Sequence, residues 1–73
     1  MFEFGQRLKS IRQGHHLTQK QLAEQIGVTE RNLRHYESGT MKPRLDVILA
    51  ILDSVDVSAD YLLGRTDNPE INR

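Results

Sequence analysis

Apolar residues recur along this chain every three or four positions, in five short blocks separated by polar or glycine-containing breaks. Phe4, Leu8, Ile11 and His15 fall at helical spacing and predict a first amphipathic helix over residues 3 to about 14, with Gly14 near its end. Thr18 and Gln21 then stand three residues apart, the pattern in which hydroxyl and amide satisfy otherwise unpaired backbone N–H groups, so a second helix opens there. Its inward face is Leu22, Ala23 and Ile26, and Gly27 supplies the positive backbone torsion that stops it. Val28 is a short apolar stitch in the turn. Thr29 predicts the N-cap of a third helix, with Glu30 placed favourably against the helix dipole and Gly39 as its end.

Pro43 suits a first helical position, which predicts a fourth helix over residues 44 to 55 carrying Leu45, Val47, Ile48, Leu49, Ile51, Leu52 and Val55. Ser58 caps a fifth, "SADYLLG", closed by Gly64. The tail "RTDNPEINR" has almost no apolar content beyond Ile71 and is expected to fray. The fold class is therefore all-α, with one domain over residues 1–67 and a flexible tail over 68–73. No repeat, strand-like alternation or low-complexity segment is visible.

The third helix, "TERNLRHYESG", has a division of labour. With about 100° per residue and Glu30 set at zero, Arg34 falls at about 40°, Arg31 at about 100° and His35 at about 140°. Leu33, at about 300°, and Tyr36, at about 240°, lie on the other side. The helix is thus anchored by two residues and displays four. Those four suit base edges: Arg bonds guanine bidentately, His donates to guanine and Glu accepts from cytosine. An ordinary solvated surface has the same outward polarity.

Composition narrows the alternatives. At 73 residues the chain holds one small core, and with no cysteine neither a disulfide nor a thiolate metal site supplements it. The N-terminus lacks a signal-peptide apolar segment and no run approaches a spanning helix, so the expectation is a soluble, cytoplasmic protein with no membrane partner. The net charge is zero, yet residues 1–44 carry eight Lys and Arg against four acids, and residues 45–73 carry two against six. This polarity suits an anionic partner on the N-terminal half, although it also serves to solvate helix faces. His15, His16 and His35 have no cysteine partners and no ligand spacing, no glycine-rich phosphate loop is present, and no nucleophile stands with a base. No metal, cofactor or enzymatic activity is expected.

A capped helix, a "GV" turn and a second capped helix within about 20 residues make a helix-turn-helix over roughly residues 18–37. Here the chain closely resembles the lambda-repressor-like helix-turn-helix family, also called the Cro or Xre family, over roughly residues 4 to 67. The elements that carry the likeness are "TQ" opening the second helix, "LA" followed by "IGV", "YESG" closing the third, the proline before the fourth and "DYLLG" in the fifth. The resemblance implies five helices around one core, with the third in the DNA major groove and the second across the phosphate backbone. It also implies roles. Glu30, Arg31, Arg34 and His35 match base-facing positions; Gln19 matches a residue that bonds a phosphate, and Thr29, Asn32, Ser38, Thr40 and Lys42 match positions at or near the backbone. Arg12 and Glu37 match a pair that forms a salt bridge in several members. Gln19 could equally support the cap, Glu30 could serve the helix dipole, and Arg12 and Glu37 could both be solvated.

The fourth helix carries more aliphatic surface than a one-sided helix needs. Either the fifth helix covers it through Tyr61, Leu62 and Leu63, or helices four and five form the face of a twofold homodimer. The expected function is a sequence-specific transcriptional regulator of bacterial or phage type, a repressor binding double-stranded DNA at an inverted repeat. The alternatives are a protein-interaction module such as an antitoxin-like partner on the same fold, or the DNA-binding part of a larger protein.

Overall fold

The computed structural model describes residues 3–69. The helices are α1 (Phe4–Gly14), α2 (Gln19–Ile26), α3 (Glu30–Ser38), α4 (Leu45–Ser54) and α5 (Ala59–Leu62), and the described residues contain no strand. Each helix sends one aliphatic side chain to the centre: Leu8, Leu22, Leu33, Ile51 and Leu62 are all fully buried. Ile11, Ala23, Ile26, Tyr36, Val47, Val55 and Val57 surround them. The fold is the five-helix, lambda-repressor-like one.

Local chemistry fixes the helix ends. Thr18 Oγ1 accepts the Gln21 N–H at 3.0 Å while Gln21 Oε1 accepts the Thr18 N–H at 2.8 Å, so both halves of the capping box are made. Gly27 takes φ 76°, and Thr29 Oγ1 accepts the Asn32 N–H at 3.0 Å to start α3 only two residues later. Gly39 takes φ 83°, with its N–H on the Tyr36 carbonyl at 3.4 Å and the Thr40 N–H on the His35 carbonyl at 3.1 Å. This pair of bonds satisfies carbonyls that the helix leaves open at its C-terminus.

Three details depart from the sequence expectations. Pro43 is not helical: Arg44 is extended and serves as N-cap, and α4 runs only over Leu45–Ser54. Arg44 makes no side-chain capping bond, and inside the first turn the Asp46 carboxylate accepts the Val47 N–H at 3.0 Å. Secondly, α5 is a single turn, which packs on α1 rather than spreading over α4. Leu62 is buried, but Leu63 is exposed. Thirdly, His15 leaves the apolar stripe, because α1 ends before it and its Nδ1 lies 2.9 Å from the Ile11 carbonyl. Gly14 ends α1 as expected, and His16 makes the turn that follows, at φ 58°. Of the tail, Asn68 and Pro69 are described and Pro69 accepts the Ser58 N–H at 3.0 Å, while residues 70–73 lie outside the described residues.

Candidate nucleic-acid interface

The short α2–α3 connection sets the two helices against each other and turns the outer face of α3 away from the core. Leu33, Tyr36 and Glu37 are the buried residues of α3. Glu30, Arg31 and Arg34 are exposed and His35 is half-buried, so the four residues matched to base-facing positions share the outward side. Asn32 is half-buried and falls at about 200°, on the flank beside Tyr36, away from the other four.

Thr29, Ser38, Thr40 and Lys42 are exposed and bracket the two ends of α3. Thr29 is engaged as the cap. At the other end, His35 Nδ1 lies 2.7 Å from Thr40 Oγ1, Thr40 Oγ1 lies 2.9 Å from Ser38 Oγ, and Ser38 Oγ donates to the His35 carbonyl at 3.1 Å. The imidazole is therefore held by the turn that follows the helix.

Behind the outward face lies a charged cluster. Arg12 Nε donates to Glu37 Oε2 at 2.7 Å and Arg12 Nη2 to Glu37 Oε1 at 3.1 Å, a bidentate pair with side chains only 10% and 3% exposed. The alternative that both residues are solvated is excluded by that burial. Arg12 Nη1 also donates to the Leu17 carbonyl at 2.8 Å, and Gln19 Nε2 donates to Glu37 Oε1 at 3.1 Å. The cluster joins α1, the start of α2 and the middle of α3, and leaves no buried side-chain polar atom without a partner among the described residues. Gln19 is half-buried at the α2 N-terminus, with its amide oriented by Glu37 rather than by the cap.

Three positions that the sequence pattern did not single out also shape the site. A Cβ at Gly5 would meet the carbonyl oxygens of Tyr36 and Glu37, so α1 approaches the end of α3 backbone to backbone. Arg7 lies over the Tyr61 ring at 4.1 Å and donates to the carbonyls of Tyr61 and Thr66 at 3.2 and 3.1 Å, tying α5 to α1. His16 completes the turn that carries Leu17 to Arg12. Gly5 and Arg7 have no local signature: Gly5 meets α3, and Arg7 meets α5 and the segment after it, both far along the chain.

The helix-turn-helix family model matches residues 8–62, three quarters of the chain and the whole of α2 and α3. The chain belongs to the helix-turn-helix family. This helix-turn-helix chain is 45% identical over 65 residues to the uncharacterized HTH-type transcriptional regulator YobD of Bacillus subtilis (strain 168), a match covering 89% of the chain and 58% of YobD. It thus spans little more than half of that relative. Among solved structures it is similar to the restriction-modification controller protein C.AhdI of Aeromonas hydrophila, at 30% identity and a TM-score of 0.77, covering 82% of this chain and 91% of that one. The DNA-binding domain of the P22 c2 repressor (1–76) is also similar, at 26% identity and a TM-score of 0.78, with 86% of each chain covered. Among the described residues no helix is long and apolar enough to cross a membrane, and no group of three or more His, Cys, Asp and Glu could hold a metal ion.

Proposed function

We propose that this helix-turn-helix chain is the DNA-binding unit, residues 1–67, of a cytoplasmic transcriptional repressor that lays α3 in the major groove of double-stranded DNA. The observation that carries this reading is the two-sided α3: Glu30, Arg31, Arg34 and His35 face outward from a helix whose back is fixed by the buried Arg12–Glu37–Gln19 cluster. Rigid support from behind is what a base-reading side chain needs, since a small rotation of the helix would move every outward atom out of hydrogen-bond reach. The likeness to the P22 c2 repressor's DNA-binding domain supports the same reading.

In this reading Arg31 and Arg34 bond guanine edges, Glu30 accepts from cytosine, and His35 contacts a base. Thr29, Asn32, Ser38, Thr40 and Lys42 lie along the phosphate backbones, and Gln19 offers a phosphate the second amide hydrogen that Glu37 leaves free. Leu45 and Leu49, 71% and 52% exposed, stand one turn apart on α4, with Leu63 and Met41 also exposed. These leucines form a patch that a second copy would cover across a twofold axis, with acidic Asp46 and Asp53 and basic Arg44 at its rim. The same patch supports a second reading, a module that binds another protein through α4.

Selection of bound duplexes from a random DNA library at near-physiological salt separates the two. Enrichment of inverted half-sites about ten base pairs apart is the expected result for a dimeric repressor. No enrichment, with binding that does not depend on salt, moves the function to a protein partner.

A further inference from the structure

The geometry assigns to His35 a defined hydrogen-bond polarity: in its neutral form the ring keeps its proton on Nδ1 and presents Nε2 as an acceptor, so it reads the exocyclic amine of cytosine or adenine and rejects guanine. The inference rests on the DNA-binding reading above and adds to it which base this residue selects.

The polarity follows from counting protons in the turn that closes α3. Three short contacts run in series, from His35 Nδ1 to Thr40 Oγ1 at 2.7 Å, from Thr40 Oγ1 to Ser38 Oγ at 2.9 Å, and from Ser38 Oγ to the His35 carbonyl oxygen at 3.1 Å. Each contact needs one proton. The carbonyl has none and the two hydroxyls have one each, so the third must come from the imidazole. The series then runs in one direction: Nδ1–H donates to Thr40, Thr40 donates to Ser38, and Ser38 donates to the carbonyl. In the opposite sense Thr40 would donate to Nδ1 and Ser38 to Thr40. That leaves Ser38 Oγ and the carbonyl oxygen facing each other at 3.1 Å with no proton between them. Only the one-directional arrangement puts a proton in all three short contacts, and it leaves just the longer approach of Thr40 Oγ1 to the His35 carbonyl, at 3.4 Å, without one.

With Nδ1 committed, the other ring nitrogen carries the lone pair. His35 is half-buried on the outward side of α3, at about 140° on the helical wheel beside Arg31 at about 100°. In the major groove a lone-pair acceptor is complementary to the N4 amine of cytosine and the N6 amine of adenine, whereas guanine presents only N7 and O6, which are acceptors themselves. Two acceptors face to face repel. The His35 position therefore discriminates in the sense opposite to that of its arginine neighbours. The sequence pattern had suggested donation to guanine; the turn after the helix reverses it.

The tautomer is read directly by long-range ¹H–¹⁵N NMR of the free protein at alkaline pH. A protonated Nδ1 is the expected result, and a ring protonated on Nε2 overturns the inference without reference to DNA. The base preference is read by running the random-library selection at the same pH with the wild-type protein and with His35→Ala. The position whose preference is lost in the variant should show cytosine or adenine with the wild type. Replacing that base by an analogue lacking the amine should weaken wild-type binding about three- to tenfold, the range of one net hydrogen bond. Guanine at that position, or an unchanged selection with His35→Ala, overturns this inference alone. No enriched sequence with the wild type removes the DNA-binding reading and this inference with it. Thr40→Val is the second variant: with no hydroxyl to accept from Nδ1, the cytosine-or-adenine preference should relax, and its retention counts against the proposal.

Discussion

Gly5 stands so close to Glu37 that a Cβ added to it would lie 2.5 Å from the carbonyl oxygens of both Tyr36 and Glu37. The glycine is there for space, since it lies inside α1 with ordinary helical torsions. The approach also brings Arg12, two turns further along α1, within reach of the Glu37 carboxylate. Gly5→Ala must push backbone away from backbone. A loss of about 1–3 kcal/mol is expected, the range for overpacking, read as a lower urea midpoint. An unchanged midpoint would mean the helices do not meet so closely.

The Arg12–Glu37 pair is buried, and breaking it from one side leaves the other charge without a partner. Glu37→Met or Arg12→Met alone should cost about 3–5 kcal/mol, a large part of the stability of so small a domain. Arg12→Met combined with Glu37→Met should cost less than the two single changes together, because no charge then remains buried. Thermal unfolding of the four proteins makes the comparison, and strict additivity would rule out the coupling.

Arg7 fastens α5 through the Tyr61 ring and two carbonyls at 3.2 and 3.1 Å. In Arg7→Ala, amide hydrogen exchange at Leu62 and Leu63 should speed up about tenfold while α3 keeps its protection, as expected for local opening of one weakly held turn. Equal acceleration in α3 and α5 would instead make Arg7 a support of the whole fold.

On the selected operator, Arg31→Ala and Lys42→Ala should fail in different ways. The loss of Arg31 should relax the preference at one base pair and cost about 1–3 kcal/mol, whereas the loss of Lys42 should weaken all sequences alike and lower the salt slope by about one. Titrations at several salt concentrations distinguish the two, and a uniform loss with Arg31→Ala would move that residue to the phosphates.

Leu49 is 52% exposed on α4 and contributes little to the core. Leu49→Glu should therefore leave the unfolding midpoint nearly unchanged while it abolishes the proposed dimer in sedimentation and weakens binding to paired half-sites more than to a single one. Unaltered self-association would place the dimer contact elsewhere.

The helices themselves were legible in the sequence because their signals are local. Thr18 with Gln21, Thr29 with the Asn32 N–H, and Gly27 and Gly39 at positive φ act on atoms within a few residues of themselves, so residue type and spacing suffice to set the ends of α2 and α3. The outward set of Glu30, Arg31, Arg34 and His35 follows from the helical repeat alone. Arg12 and Glu37 could be paired only through the family resemblance, and their burial was beyond any periodicity. Pro43 misled by two positions: the extended Arg44 follows it as N-cap and the helix begins only at Leu45.

What only the tertiary structure decided depends on groups distant in the chain or on the direction of a proton. Gly5 owes its identity to carbonyls at the far end of α3, and Arg7 holds a turn near the opposite end of the chain. Gln19 is oriented by a carboxylate from another helix, and His35 by two hydroxyls at and beyond the end of its own helix. The sequence by itself determined which side of α3 faces outward, since one helix repeat is enough for that. Packing decided how that side is held, since Gly5, Arg12 and Gln19 act on groups far along the chain, and the turn that closes α3 decided which nitrogen of His35 it offers.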